Sequence, residues 1–274
     1  MRVGSLLSGP DPVLMGILNV TPDSFSDGGD FFGVELAVAQ AEEMLDDGAH
    51  VIDLGGESTR PGSDPVSSDE ELRRVIPVIR GILATRPEAV ISIDTYRAST
   101  AEATLDAGAS IVNDITALGD PGMATLIAER GTPVVLMHML GEPKSMQQDP
   151  HYEDVVREVR DFLTDRAERA VRAGVAEENV ILDPGIGFGK TLRHNLELLN
   201  SLDAIVQIGY PVLVGASRKS FLGNITGSDD AKDRLFGTMA TNIVAYERGA
   251  RLFRVHDVRA NREALEVAAA VRRV

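Results

Sequence analysis

The chain has 274 residues, 43% of them hydrophobic and 25% charged, with a net charge of −15 and no cysteine. That size and composition suit one large globular domain over residues 1–274, with a short N-terminal extension over about 1–12. The lack of cysteine excludes disulfides, thiolate metal sites and a cysteine nucleophile, and the acidic balance argues against nucleic acid or anionic lipid as a partner.

The segment Met1–Pro12 has no basic start followed by a long apolar run, as a signal peptide would. No apolar run reaches the roughly 18–20 residues of a membrane helix. A cytoplasmic protein acting on small molecules is therefore expected.

In chain order, Val13–Val20 reads as a first buried strand, Thr21–Phe32 as a polar loop, and Glu35–Asp47 as a helix stopped by Gly48. Val51–Leu54 is the second strand, and Glu57–Ser67 a second polar loop before a helix that Ser68 or Asp69 would cap. The strand Val90–Asp94 precedes the helix Ser99–Ala107, Ile111–Asn113 precedes Met123–Arg130, and Pro133–His138 precedes Tyr152–Ala173. The strand Val180–Asp183 precedes Asn195–Leu202, Pro211–Gly215 precedes Lys232–Arg248, and Leu252–Val255 precedes Arg262–Val271. Each strand is brief and rich in Val, Ile or Leu, as befits parallel strands covered on both faces.

Eight strand-then-helix units of this kind predict an α/β fold, a single (β/α)8 TIM barrel. The competing doubly wound sheet would usually carry a glycine-rich dinucleotide turn after its first strand, where this chain reads NVTPDSFSDGG. The two polar loops are long for connectors, and such loops often carry function.

Unusual polar residues gather at the strand ends. Asn19 closes the first strand, Thr59 and Arg60 follow the second, and Asp94, Asn113 and Asp183 close the third, fourth and sixth. Met137 and His138 close the fifth, Ser217 and Lys219 follow the seventh, and Arg254 and His256 flank the end of the eighth. In a barrel these ends meet at one mouth, where catalysis takes place. A single polar strand end is usually just a helix cap; a full ring of them is not explained by capping.

Asp94 and Asp183 can accept hydrogen bonds from a polar heterocycle, and Asn113 can both donate and accept. Lys219 is a point cation, while Arg60 and Arg254 are planar forks suited to phosphate or carboxylate. The set suits a flat heterocycle carrying an anion. No His and carboxylate cluster has zinc spacing, although Asn19 with water would serve a magnesium ion whose other ligands are substrate phosphates.

Several strings read more plainly. Gly185–Thr191, GIGFGKT, resembles a P-loop, but Pro184 stands where that pattern needs glycine. Its glycines instead allow a close backbone approach to a ligand. His50, His151 and His194 read as helix-edge or surface residues and His138 as a residue at the core's edge, whereas His256 lies where barrels often bind phosphate. Ser217 has no G-x-S-x-G elbow around it.

At these residues the chain resembles the dihydropteroate synthase family. The matching strings are GILNVTPDSFSDGG (Gly16–Gly29), DLGGESTRPG (Asp53–Gly62), SIDTYR (Ser92–Arg97), VNDI (Val112–Ile115), VLMHM (Val135–Met139), DPGIGFGK (Asp183–Lys190), GASRKSF (Gly215–Phe221) and RVHDV (Arg254–Val258). They run in family order through nearly the whole chain.

The resemblance implies the same barrel, with 6-hydroxymethyl-7,8-dihydropterin pyrophosphate and p-aminobenzoate as substrates, 7,8-dihydropteroate and pyrophosphate as products, magnesium as cofactor, and a homodimer. It implies a pterin site of Asp94, Asn113, Ile115, Met137, Asp183, Gly187, Phe188, Gly215, Lys219 and Arg254. Asn19, Thr59, Arg60, Arg254 and His256 would hold the pyrophosphate, and Asn19 the metal. Phe25, Thr59, Arg60, Pro61, Phe188, Ser217 and Lys219 would surround p-aminobenzoate. Asp27, Arg60, Lys219 and His256 would act in catalysis, Asp27 beside a cation left by a dissociative departure of pyrophosphate. The rival functions are a pterin-dependent methyltransferase and a non-catalytic pterin-binding paralogue.

Overall fold

A computed structural model describes residues 9–20, 29–57 and 65–274 of the chain. The expected strands are present: β1 (Val13–Asn19), β2 (Val51–Gly55), β3 (Ile91–Asp94), β4 (Ile111–Asp114), β5 (Val134–Met137), β6 (Val180–Asp183), β7 (Leu213–Val214) and β8 (Leu252–Val255). They form one parallel sheet in the order β6-β5-β4-β3-β2-β1-β8-β7. A parallel bridge between Leu182 and Val212 joins its two edges and closes the barrel. β7 is shorter than expected. Its Pro211 has no N–H to donate to a ladder, and only its carbonyl takes part, accepting from Leu182 N at 2.9 Å.

Around the barrel run α1 (Gly29–Asp46), α2 (Ser68–Thr85), α3 (Ala98–Asp106), α4 (Met123–Arg130), α5 (Val155–Arg172), α6 (Leu192–Asn200), α7 (Asp203–Val206), α8 (Ser220–Thr226), α9 (Leu235–Glu247) and α10 (Val258–Arg272). Several boundaries differ from the sequence expectation, and caps explain most of them. Ser67, not Ser68 or Asp69, caps α2, its hydroxyl accepting from Glu70 N. Thr191 starts α6 early through a capping box that uses His194. Asp154 delays α5 by accepting from Arg157 N, while the phenol of Tyr152 donates to Gly189 O at 2.9 Å. A 3-10 turn, Ala231–Arg234, precedes α9, and α10 begins at Val258, directly after the residues that follow β8. The short α7 and α8 were not foreseen, because four and seven residues are too few for a helical period to declare itself.

The interior divides in two along the barrel axis. Side chains on a strand alternate between its faces. Val13, Met15, Val51, Val90, Ile111, Val135, Ile181, Leu213 and Leu252 form a separate inner apolar cluster, distinct from the larger core between sheet and helices. Two residues further along several of the same strands, the inner stripe turns polar: Asp53 after Val51, Ser92 after Val90, Asn113 after Ile111, Asp183 after Ile181 and Arg254 after Leu252. The lower barrel is thus a packed plug and the upper barrel a polar floor.

The loop from β6 to α6 folds back over the exit of β5. At Gly185, with φ +67°, a Cβ would lie 1.9 Å from the His138 carbonyl oxygen. At Gly187, with φ +84°, a Cβ would lie 2.8 Å from Cδ of Lys219. These glycines admit the approach of protein to protein, where the sequence had suggested approach to a ligand. Gly185→Ala therefore meets both a left-handed backbone and a backbone clash. It is expected to lower stability by at least about 2 kcal/mol, measured by urea denaturation; an unchanged midpoint would show that the loop accommodates a side chain there.

Candidate active site

The polar floor is organised by Arg254. From β8 its guanidinium crosses the barrel interior, donating from Nε to Asp53 Oδ2 at 2.5 Å and from Nη2 to Asp94 Oδ2 at 2.7 Å. Asn113 Nδ2 donates to the same Asp53 oxygen at 3.2 Å. Four strands (β2, β3, β4 and β8) thus contribute to one network. Asp53 is fully buried, and Asp94 and Asn113 are nearly so. Burial disfavours the charge of Arg254, but Asp53 and Asp94 outweigh it and hold its pKa above the ordinary arginine value. Burial raises the pKa of Asp94, with Arg254 opposing.

Three buried oxygens on this floor, Asp53 Oδ1, Asp94 Oδ1 and Ser92 Oγ, have no hydrogen-bond partner among the described residues. Buried polar atoms are seldom left so.

The second half of the floor comes from β6 and the segment after β7. Asp183 accepts from Gly185 N through Oδ1 at 2.7 Å. Burial raises its pKa, while Lys219, the Gly185 N–H, Lys190 and Arg254 pull it down. Lys219 donates from Nζ to the Ile186 carbonyl, and the same ammonium lies 4.4 Å from the centre of the Phe188 ring. Burial brings the Lys219 pKa down to about 8, with Asp183 acting against that fall and Arg254 adding to it. Ile115 and Met137 close β4 and β5 as buried apolar side chains. A Cβ on Gly215 would rest at ordinary contact distance on the stem of Arg254.

At the rim, Ser217 Oγ and His256 Nδ1 are 3.0 Å apart, and His256 N donates to Ser217 Oγ at 3.2 Å. Their neighbours, Arg218 and Asp257, form a bidentate ion pair at 2.9 and 2.5 Å that ties the exits of β7 and β8 together. Asn19 ends β1 half-buried; a Cβ on Gly55 would lie 3.4 Å from its Oδ1 and 3.7 Å from Cβ of Asp94, so the amide borders the floor.

The structure thus gathers Asn19, Asp94, Asn113, Ile115, Met137, Asp183, Gly187, Phe188, Gly215, Ser217, Lys219, Arg254 and His256 around one mouth. Phe25, Asp27, Thr59, Arg60 and Pro61 lie outside the described residues. Two site residues escaped the sequence reading. Asp53 sits in mid-strand rather than at a strand end, yet the two-residue step from Val51 would have placed it on the inner face. Lys190, 3% exposed, passed unremarked once the P-loop reading had been set aside. Of the other histidines, His50 accepts from Leu14 N at 3.1 Å and His194 caps α6, structural roles in keeping with expectation. His138 is buried against Phe162 and Lys190, and its pKa falls to about 3 through burial and the neighbouring Lys190.

The pterin binding enzyme family model matches residues 15–256. The dihydropteroate synthase of Escherichia coli strain K12 is 47% identical over 264 residues, covering 96% of this chain and 93% of its own. Among solved structures, a Xanthomonas albilineans dihydropteroate synthase with 4-aminobenzoic acid superposes with a TM-score of 0.91 at 46% identity, covering 96% of this chain and 94% of that one. The enzyme from the same organism in complex with 7,8-dihydropteroate gives 0.88 at 44% identity, covering 96% and 95%. With this site and these relatives, the chain belongs to the pterin-binding enzyme family, among its dihydropteroate synthases.

Proposed function

We propose that the chain condenses 6-hydroxymethyl-7,8-dihydropterin pyrophosphate with p-aminobenzoate, releasing 7,8-dihydropteroate and pyrophosphate. The observation that carries this reading is the convergence of Asp94, Asn113, Asp183, Lys219 and Arg254 on one floor. The carboxylate of Asp183 faces the pterin amino and ring N–H groups, and Lys219 faces the ring carbonyl and a ring nitrogen. Asp94 and Asn113 take the other edge of the ring. Each pairing satisfies a buried charge or dipole with its complement.

The C–O bond between the pterin methylene and the diphosphate breaks, and its electron pair leaves with pyrophosphate. The cation left behind is delocalised into the ring until the aniline nitrogen of p-aminobenzoate forms the new C–N bond and gives up a proton. His256 stabilises the departing charge, an electrostatic contribution from a group placed in advance; the family resemblance assigns Arg60, outside the described residues, the same role. Ser217, Phe188 and Lys219 border the place of p-aminobenzoate; the family resemblance assigns Phe25, Thr59 and Pro61, outside the described residues, to the same substrate and Asp27 to the cation.

Asn19, half-buried at the end of β1, would hold magnesium, with water and substrate oxygens supplying its other ligands. Among the described residues no group of three or more His, Cys, Asp or Glu offers an all-protein cage. When bound, magnesium would neutralise diphosphate charge.

The same reading has the enzyme working in the cytoplasm as a homodimer. Among the described residues no helix is long and apolar enough to cross a membrane. Phe236, 79% exposed on α9, is a large apolar side chain that a homodimer interface would cover.

Adding p-aminobenzoate to enzyme, magnesium and the pterin pyrophosphate is expected to release pyrophosphate and form dihydropteroate in equal amounts. Pterin binding without release would make the chain a non-catalytic binder. The ammonium of Lys219, flanked by Asp183, Arg254, Asp94 and the Phe188 ring, binds only when protonated. Pterin pyrophosphate affinity should accordingly decline as pH rises through about 8. Calorimetry across pH checks this: Lys219→Ala should bind weakly and lack that alkaline limb, and a variant retaining it would assign the limb elsewhere.

A further inference from the structure

Lys190 is a nearly buried cation to which the reaction above gives no part. Its Nζ lies 2.9 Å from His138 Nδ1, donates to the Phe188 carbonyl at 3.0 Å, and makes a longer 3.4 Å contact with the His138 carbonyl. These are three acceptors for three ammonium donors. Burial keeps the His138 ring neutral, and in the tautomer with its proton on Nε2 the Nδ1 accepts from Lys190. Burial presses Lys190 well below the ordinary lysine range; Asp183 opposes the fall and Lys219 deepens it. With His138 accepting at Nδ1, all three neighbours of the nitrogen are acceptors, a set that only the charged form with three N–H donors satisfies in full.

The rest of the loop is fixed by other residues. Gly187 N donates to Asn195 Oδ1 at 2.7 Å, Gln147 Nε2 donates to the Gly187 carbonyl at 2.6 Å, and Tyr152 holds the Gly189 carbonyl. The Phe188 carbonyl is held by Lys190, and the Phe188 ring lies against Lys219. One side chain therefore touches the backbone that sets the aromatic wall while backing the carboxylate at the centre of the floor.

We propose that Lys190 is a positioning residue of the pterin site: its ammonium fastens the Phe188 carbonyl to the exit of β5 and backs Asp183 with positive charge. This inference rests on the reading of Asp183 as the carboxylate partner of the pterin. The charged and titratable groups around Asp183 are Lys190 from its own loop, Lys219 from the segment after β7 and Arg254 from β8; His138, at the exit of β5, donates its backbone N–H to the Asp183 carbonyl at 3.0 Å, and its ring contacts Lys190.

An ionised Asp183 is needed for binding, so affinity is lost as pH falls through its pKa. Removing a nearby positive charge raises that pKa, and the acidic limb of binding must then move to higher pH, by about one unit. A purely structural Lys190 would lower affinity at every pH without moving the limb.

The experiment is calorimetric titration of the full-length protein with 6-hydroxymethyl-7,8-dihydropterin pyrophosphate from acid to neutral pH. Asp183→Asn, expected to bind weakly and without the limb, assigns the limb. Lys190→Met should show it displaced upward, with affinity lowered about twofold at a pH one unit above the wild-type midpoint and about tenfold one unit below it. Lys190→Arg, which keeps the charge, should leave the limb near its wild-type place even if affinity drops. Should Lys190→Met fail to fold, as judged by circular dichroism, Lys190→Gln provides the same loss of charge. A limb unmoved in the uncharged variants, or moved equally by Lys190→Arg, overturns the inference. A wild-type protein that does not bind the pterin, or an Asp183→Asn variant that keeps the limb, overturns instead the reading on which it rests.

Discussion

The structure of this site depends on one buried guanidinium held between two carboxylates. Arg254 spans the barrel interior from β8 to Asp53 on β2 and Asp94 on β3. Taking these charges out of water is costly, and pairing compensates only when geometry and hydrogen bonding are good; removing one partner of such a set typically costs about 3–5 kcal/mol. The network is therefore poor as a source of stability and good as a fixture. It locks three strand interiors together just above the apolar plug and holds a flat, polar surface at the depth of the mouth.

The local electrostatics run against the whole. A chain of net charge −15 repels a diphosphate at long range, yet Lys190, Lys219 and Arg254 gather within the mouth. Each is balanced by a carboxylate or a ring of acceptors, so the site is neither a cationic patch nor a neutral hole. Such an arrangement lets a polar heterocycle exchange water for fixed partners. The Arg218–Asp257 pair, by tying together the exits of β7 and β8, keeps the rim residues Ser217 and His256 in register with the floor.

Much of this was legible in the sequence. Short Val, Ile and Leu runs ending in Asn19, Asp94, Asn113, Asp183 and Arg254 specify both a parallel barrel and the end where its chemistry lies. What escaped did so for identifiable reasons. Asp53 does not end its strand, and attention to strand ends passed over it, although alternation from Val51 put it on the inner face. Helix starts were misplaced where a cap such as Ser67, Asp154 or Thr191 decided the boundary, because several polar residues in a row compete for that role. α8 is too short for periodicity to register. The glycines after β6 were correctly marked as places of close approach, but what approaches is the His138 carbonyl and the Lys219 stem, and only the folded chain reveals a neighbour so distant in sequence.

The central claim is that Asp53 and Arg254 act as a single unit in holding the pterin floor. A double-mutant cycle on pterin pyrophosphate binding tests it most directly, using Asp53→Asn, Arg254→Met and the pair, each verified as folded. Strong coupling is expected: the double variant should lose little more affinity than either single one, with an interaction energy above about 1 kcal/mol. Losses that simply add, to within about 0.5 kcal/mol, would mean that the two residues serve the ligand independently and that the ion network does not organise the site.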